Sequence, residues 1–202
     1  ASVRCVSTGG RSKNATHARA ERLLGAGKNV YLAGFMGAGK TSTAKALARA
    51  LDAAWVDLDA AIEQEQGQTV AEIFAASGER GFRNAEHRAL KSVVREGGRV
   101  VALGGGAVCF ERNRGLLRGT GPVVLLTAPP EVILKRVGRS AGRPLLAGPD
   151  SAGTIRALLL RPFPERQGPD APPRHERRDI RRVAHALEPL EHLRDVLAVL
   201  AH

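Results

Sequence analysis

The segment Gly34-Phe35-Met36-Gly37-Ala38-Gly39-Lys40-Thr41 fits the pattern G-x4-G-K-[ST]. Glycines in such a run let backbone N–H groups turn inward around phosphate oxygens. A helix starting near Gly39 turns its positive end toward the same anion. Lys40 has the reach to meet β- and γ-phosphates, and the Thr41 hydroxyl can ligate Mg²⁺. Taken alone, the loop does not separate a kinase from a GTPase or an ATPase motor.

A second set of residues could receive the phosphoryl group. Asp57 and Asp59 leave a short apolar run, and strand alternation would send positions i and i+2 to one side. One carboxylate could hold magnesium through its water shell, while the other takes the proton of an acceptor hydroxyl. The competing reading makes Asp59 a helix cap. Arg83 and Glu86 are three apart on a predicted helix. They form either a surface pair or a carboxylate fork, with Arg83 gripping the substrate and Glu86 holding Arg83 in place. Gly104, Gly105 and Gly106 allow backbone to approach a ligand closely. Arg143 lies in a stretch rich in Gly, Ser and Arg, suited to a mobile lid that closes over the nucleotide and steadies transferring charge.

The elements needed to position these groups are legible as alternating strands and helices. Strands are predicted at 30–33, 54–56, 99–103 and 122–126. Helical stretches are predicted at 41–51, 60–66, 70–76, 83–96 and 131–137. Alternation of this kind points to an α/β domain with a parallel sheet covered on both faces, and ligands gather at the carboxyl ends of such strands. The phosphate loop, the aspartate pair and the glycine run each start where a predicted strand ends.

Composition narrows the partners. The net charge of +11 raises nucleic acid, but the basic residues concentrate in the first 28 positions and after Arg156, and aromatics make up only 3%. No base-stacking platform is evident, so nucleic acid is not expected. No apolar run approaches the ~18 residues of a membrane-spanning helix. Cys5, Cys109 and six scattered histidines show no metal spacing, so zinc is not expected and the thiols read as ordinary. Residues 1–28 read as a basic, disordered extension, with the rest a single domain. The expected location is the cytoplasm, or a plastid if the extension is a transit peptide. A monomer is expected.

Together the motifs resemble the shikimate kinase family. The matching stretches are GFMGAGKT, the pair Asp57 and Asp59, IEQEQG at 62–67, IFAASGERGFRNAE at 73–86, LGGGAV at 103–108 and RPLLAGPD at 143–150. Gluconate kinases share the phosphate loop but not this combination. The resemblance implies a three-layer α-β-α P-loop kinase fold, with a five-stranded parallel sheet and a lid at about 138–150. It implies ATP and Mg²⁺, and phosphorylation of the 3-hydroxyl of shikimate on the route to chorismate and aromatic amino acids. By position, ATP would lie on Gly37, Ala38, Gly39, Lys40, Thr41, Ser42, Arg136, Arg143 and Arg178. Shikimate would lie on Asp59, Arg83, Gly104, Gly105, Gly106 and Arg161. Lys40, Asp59 and Arg143 would carry catalysis, with Asp59 as base, and Thr41 and Asp57 would serve the metal. Alternatives are a related kinase with another small hydroxylated acceptor, or a homologue that binds nucleotide without turnover.

The chain departs from that pattern at 162–176, a segment too rich in proline for an inner strand. Reading the codons of Arg174 to Arg177 one base later permits Asp-Thr-Asn, the ending the family pattern gives its last strand. If that shift is real in the gene, the last strand is missing. Ile180 to Leu200 has a helical rhythm interrupted at Pro189.

Overall fold

The computed structural model describes residues 24–137, residue 153 and the strand at 183–185. Five strands form one sheet: β1 (Val30–Gly34), β2 (Ala54–Asp57), β3 (Arg99–Ala102), β4 (Val123–Thr127) and β5 (Val183–His185). Their order is β2-β3-β1-β4-β5, and every adjacent pair is parallel. Between them run α1 (Lys40–Leu51), α2 (Leu58–Gln66), α3 (Val70–Glu96), α4 (Glu111–Leu117) and α5 (Pro130–Val137).

Strand alternation sorts the core into two layers. Val30 and Leu32 of β1, Val100 and Ala102 of β3, and Val124 and Leu126 of β4 pack against the α1 stripe Ala44, Leu47, Ala48 and Leu51. That stripe follows the three- and four-residue spacing of a helix face. The intervening residues Tyr31, Ala33, Val101 and Leu103 face the opposite layer, where Leu58 and Ile62 of α2 meet Phe82, Ala89, Leu90 and Val93 of α3. All five residues of β1 are buried, as a strand covered on both sides requires. Edge strand β2 leaves Trp55 40% exposed, with Lys45 over its ring.

Two helix starts have visible causes. Thr69 caps α3 in a capping box with Glu72, and the bonds Glu72 receives from Thr69 hold its carboxyl below the usual range. Asp57 caps α2, its Oδ1 accepting from the backbone of Asp59 and Ala60 at 3.1 and 3.5 Å.

The structure changes several expectations. Asp59 does not cap a helix and does not lie on a strand; it sits on the first turn of α2, and the capping residue is Asp57. The helices expected at 70–76 and 83–96 are both present as the two arms of α3, which meet at a kink where Gly78 leaves helical geometry at φ 64°. Glycine takes that angle without the penalty a Cβ would bring. Helix α4 has no counterpart among the predicted elements. The fifth strand that the resemblance implied is present as β5, inside the stretch from Ile180 where a helical rhythm was expected. Its three residues pair with Leu125, Leu126 and Thr127 of β4, whose outer backbone groups would otherwise form an unpaired edge. No helix among the described residues is long and apolar enough to cross a membrane.

Asn29 locks the lower ends of the central strands. It is fully buried. Its Oδ1 accepts from the Arg99 backbone N–H at 2.9 Å, and its Nδ2 donates to the Tyr31 hydroxyl at 3.0 Å and the Val93 carbonyl at 3.3 Å. Truncation removes all three bonds and takes the side-chain acceptor from the Arg99 N–H, while the Tyr31 hydroxyl keeps Thr120 and the Val93 carbonyl keeps the Gly97 N–H. Asn29→Ala is expected to cost about 2–4 kcal/mol of unfolding free energy, measurable by urea denaturation followed by circular dichroism.

Candidate active site

At the carboxyl end of β1 the phosphate loop turns through two left-handed glycines, Gly37 at φ 76° and Gly39 at φ 96°, the latter capping α1. Gly34 must also be glycine, since a Cβ there would run into the Leu126 carbonyl oxygen. The Lys40 ammonium folds back onto the loop, donating to the carbonyls of Gly34 at 2.9 Å and Phe35 at 3.2 Å. Arg136 reaches in from α5 and donates to the Gly37 carbonyl at 3.2 Å. Ala38 is buried beneath the loop, whereas Thr41 and Ser42 lie exposed on the first turn of α1.

The end of β2 is tied to this loop by one short bond. Thr41 Oγ1 donates to Asp57 Oδ2 at 2.6 Å, while the other Asp57 oxygen caps α2. A hydroxyl and a carboxylate meeting beside a phosphate loop are the hard oxygen donors that Mg²⁺ takes, together with phosphate oxygens and water. The pair fits that ion.

The opposite side of the site is built on α3. Glu86 is fully buried. Its Oε1 accepts from Arg83 Nη1 at 3.0 Å, and its Oε2 accepts from Asn113 Nδ2 at 3.2 Å. Asn113, also fully buried, donates to the Ala107 carbonyl at 3.0 Å and shares a hydrogen bond with His87 Nδ1 at 2.9 Å. Arg83 is held a third way, by the rings of Phe82 and Phe110, whose centroids lie 5.2 and 4.6 Å from its guanidinium carbon. Arg83 and Glu86 are therefore a buried pair, not a surface one.

Gly104 joins the two sides. A Cβ there would come within 2.7 Å of Asp59 Oδ1 and 2.9 Å of Glu86 Oε1. Only glycine lets both carboxylates close on the turn after β3. Gly106 is buried and Gly105 half-buried in the same turn, and the Gly104 and Gly106 carbonyls accept from Ala107 and Cys109 at 3.1 and 2.9 Å.

The electrostatics follow from this crowding. Burial pushes the Asp59 carboxyl above its ordinary value, and the Asp57 charge adds to that; Lys40 and Arg83 oppose it. Asp59 Oδ1 is buried and has no hydrogen-bond partner among the described residues, so it offers an acceptor to an incoming hydroxyl. Burial raises Glu86 to about 7 despite the opposing Arg83 charge. The Cys109 thiol is pushed to about 11, chiefly by burial, and stays protonated.

Of the residues singled out in the sequence, Gly37, Ala38, Gly39, Lys40, Thr41, Ser42, Asp57, Asp59, Arg83, Gly104, Gly105, Gly106 and Arg136 thus stand around the carboxyl ends of β1, β2 and β3 and the start of α1. Arg143, Arg161 and Arg178, the lid at 138–150, the segment 162–176 and most of the extension at 1–28 lie outside the described residues. Sequence reasoning missed Asn113, Phe110 and His87. Asn113 belongs to no motif, and its value arises only when α4 folds against α3. Glu86 was assigned its support of Arg83, but not its complete burial.

Comparison with known proteins gives the relatives of the chain. The family model described as shikimate kinase matches residues 36–166. A shikimate kinase of Symbiobacterium thermophilum is 46% identical over 140 residues, covering 67% of this chain and 80% of that protein. One of Geobacter sulfurreducens is 48% identical over 133 residues, covering 66% of this chain and 74% of that protein. Among solved structures, shikimate kinase from Acinetobacter baumannii in complex with shikimate superposes with a TM-score of 0.70 at 33% identity, covering 86% of this chain and 90% of that one.

Glu86 makes stability depend on pH. Its folded-state value of about 7 lies above the ordinary 4.5, so between these values the folded chain binds the proton more tightly than the unfolded one. Its contribution is fully present below about 4.5 and is lost as pH rises through 7. Denaturant melts at several pH values should show stability falling over that window. Glu86→Gln, which cannot titrate, should flatten the fall.

Proposed function

The chain belongs to the shikimate kinase family, and we propose on that premise how its residues divide the reaction, the ATP-dependent phosphorylation of shikimate. The observation that carries the assignment is the position of Asp59. Its carboxylate is acted on both by Lys40 of the phosphate loop and by Arg83 of α3, so it stands where a nucleotide and an acceptor would meet.

The loop backbone and the N-terminus of α1 receive the phosphates of ATP. Lys40 exchanges its neutral carbonyl partners for phosphate oxygens, a stronger charge-assisted contact, and steadies the charge that develops on transfer. Arg136 lines the nucleotide side beside Gly37. Thr41 and Asp57 would hold Mg²⁺, which when bound would neutralise phosphate charge. On the acceptor side, Arg83 forks onto the carboxylate of shikimate, and Glu86 fixes its aim. The backbone of Gly104, Gly105 and Gly106 lies along the substrate. Asp59 accepts the proton of the 3-hydroxyl as the hydroxyl oxygen bonds to the γ-phosphorus of ATP and the bond from that phosphorus to the β,γ-bridging oxygen breaks, releasing ADP. The burial that raises the Asp59 carboxyl also strengthens it as a base at neutral pH. Arg143, Arg161 and Arg178 take their roles from sequence position: Arg143 at the transferring phosphoryl, Arg161 on shikimate, and Arg178 on the nucleotide. The acceptor is a small molecule handled by a single chain in the cytoplasm.

The direct test is ADP release with ATP and Mg²⁺, run with shikimate, with a neutral polyol and with no acceptor. Release that depends on shikimate is the expected result; equal release with the neutral polyol would refute the acceptor. Asp59→Asn should lower kcat by at least about 100-fold while ATP still binds, and a rate within a few-fold of wild type would remove Asp59 as the base. Arg83→Ala should weaken shikimate binding by about 10- to 100-fold, the worth of one charge-assisted contact. An unchanged affinity would refute the fork.

A further inference from the structure

We propose that Glu79 competes with the substrate carboxylate for Arg83, occupying the edge of the guanidinium that the substrate must take. The proposal rests on the reading that Arg83 receives that carboxylate.

A guanidinium offers five N–H donors in a rigid plane. In Arg83, Nη1 is committed to Glu86 Oε1 at 3.0 Å, a partner with no solvent exposure. The rings of Phe82 and Phe110 fix the group from its faces. The edge left for a two-bond fork is the one formed by Nε and Nη2. Both atoms donate to a single oxygen, Glu79 Oε1, at 3.4 and 3.3 Å. These bonds are long, and the Glu79 side chain is 61% exposed while that of Arg83 is 13% exposed. The two acids around Arg83 therefore differ in kind. Glu86 is a permanent anchor, whereas Glu79 is a weak, wet contact of the sort that contributes little. Glu79 also follows immediately on Gly78, where the backbone of α3 leaves helical geometry at φ 64°.

The consequence is an exchange of one carboxylate for another. A ligand carrying a carboxylate can displace Glu79 and keep Arg83 paired throughout. A neutral hydroxylated molecule cannot replace the lost charge contact, so the Glu79 pair is a toll that only an anionic acceptor recovers. Glu79 thereby sharpens the choice of acceptor through Arg83, without touching the reacting atoms.

Isothermal titration with shikimate across wild type, E79Q, R83A and the double variant tests this. E79Q should tighten the shikimate Kd by about 1.5- to 5-fold, the range of an exposed ion pair, and the gain should vanish on the R83A background. An unchanged or weaker Kd in E79Q would overturn the proposal. So would an equal gain without Arg83, which would assign the effect to loss of a nearby negative charge. If R83A alone left the Kd unchanged, the fork itself would fail, a result distinct from either of these.

Discussion

The site depends on a carboxylate with no access to water. Glu86 sits at the centre of α3 and can stay there only because Arg83 and Asn113 supply donors to its two oxygens. Removing one partner of such a buried pair typically costs about 3–5 kcal/mol, so the arrangement is held far more firmly than a surface contact. Through Asn113 it fastens α3 to α4 and to the turn after β3. Through Arg83 it fixes the direction of a guanidinium beside Asp59. The same carboxylate demands glycine at position 104, because any side chain there would strike both Glu86 and Asp59.

Asp57 plays the corresponding part on the phosphate side. One of its oxygens starts α2 and the other meets Thr41 on α1. The placement of Asp59, two residues into that arrangement, is thus set by the same side chain that meets Thr41. The parallel sheet brings these pieces together: β1, β2 and β3 are neighbours and end on the same side, although β2 and β3 are separated in sequence by α2 and α3. This is the general place for ligands in an open α/β sheet.

The sequence made the phosphate loop, the two aspartates, Arg83 and the glycine turn legible because each carries chemistry in a distinctive local pattern. The route to Asp59 was less sound. Alternation along a strand was expected to align it with Asp57, whereas a strand end and a helix turn bring the two together. Asn113 was invisible because its role is tertiary: an asparagine in a seven-residue helix gives no signal until its neighbours are packed around it. A fifth strand was expected, but its position at β5 went unread for a similar reason. Three residues carry no period of their own, and it is the open edge of β4 that makes them a strand. The two expected helices are the two arms of α3, and the kink between them falls at Gly78, which tolerates a backbone angle that other residues resist.

The central claim is that Arg83 and Asp59 grip opposite ends of one small acid. The most direct measurement is a crystal structure with shikimate and Mg·ADP bound. The account predicts the shikimate carboxylate on the Nε–Nη2 edge of Arg83, with Glu86 still on Nη1 and a ring hydroxyl within hydrogen-bond distance of Asp59 Oδ1. A carboxylate bound elsewhere, or Asp59 facing no hydroxyl, would contradict it.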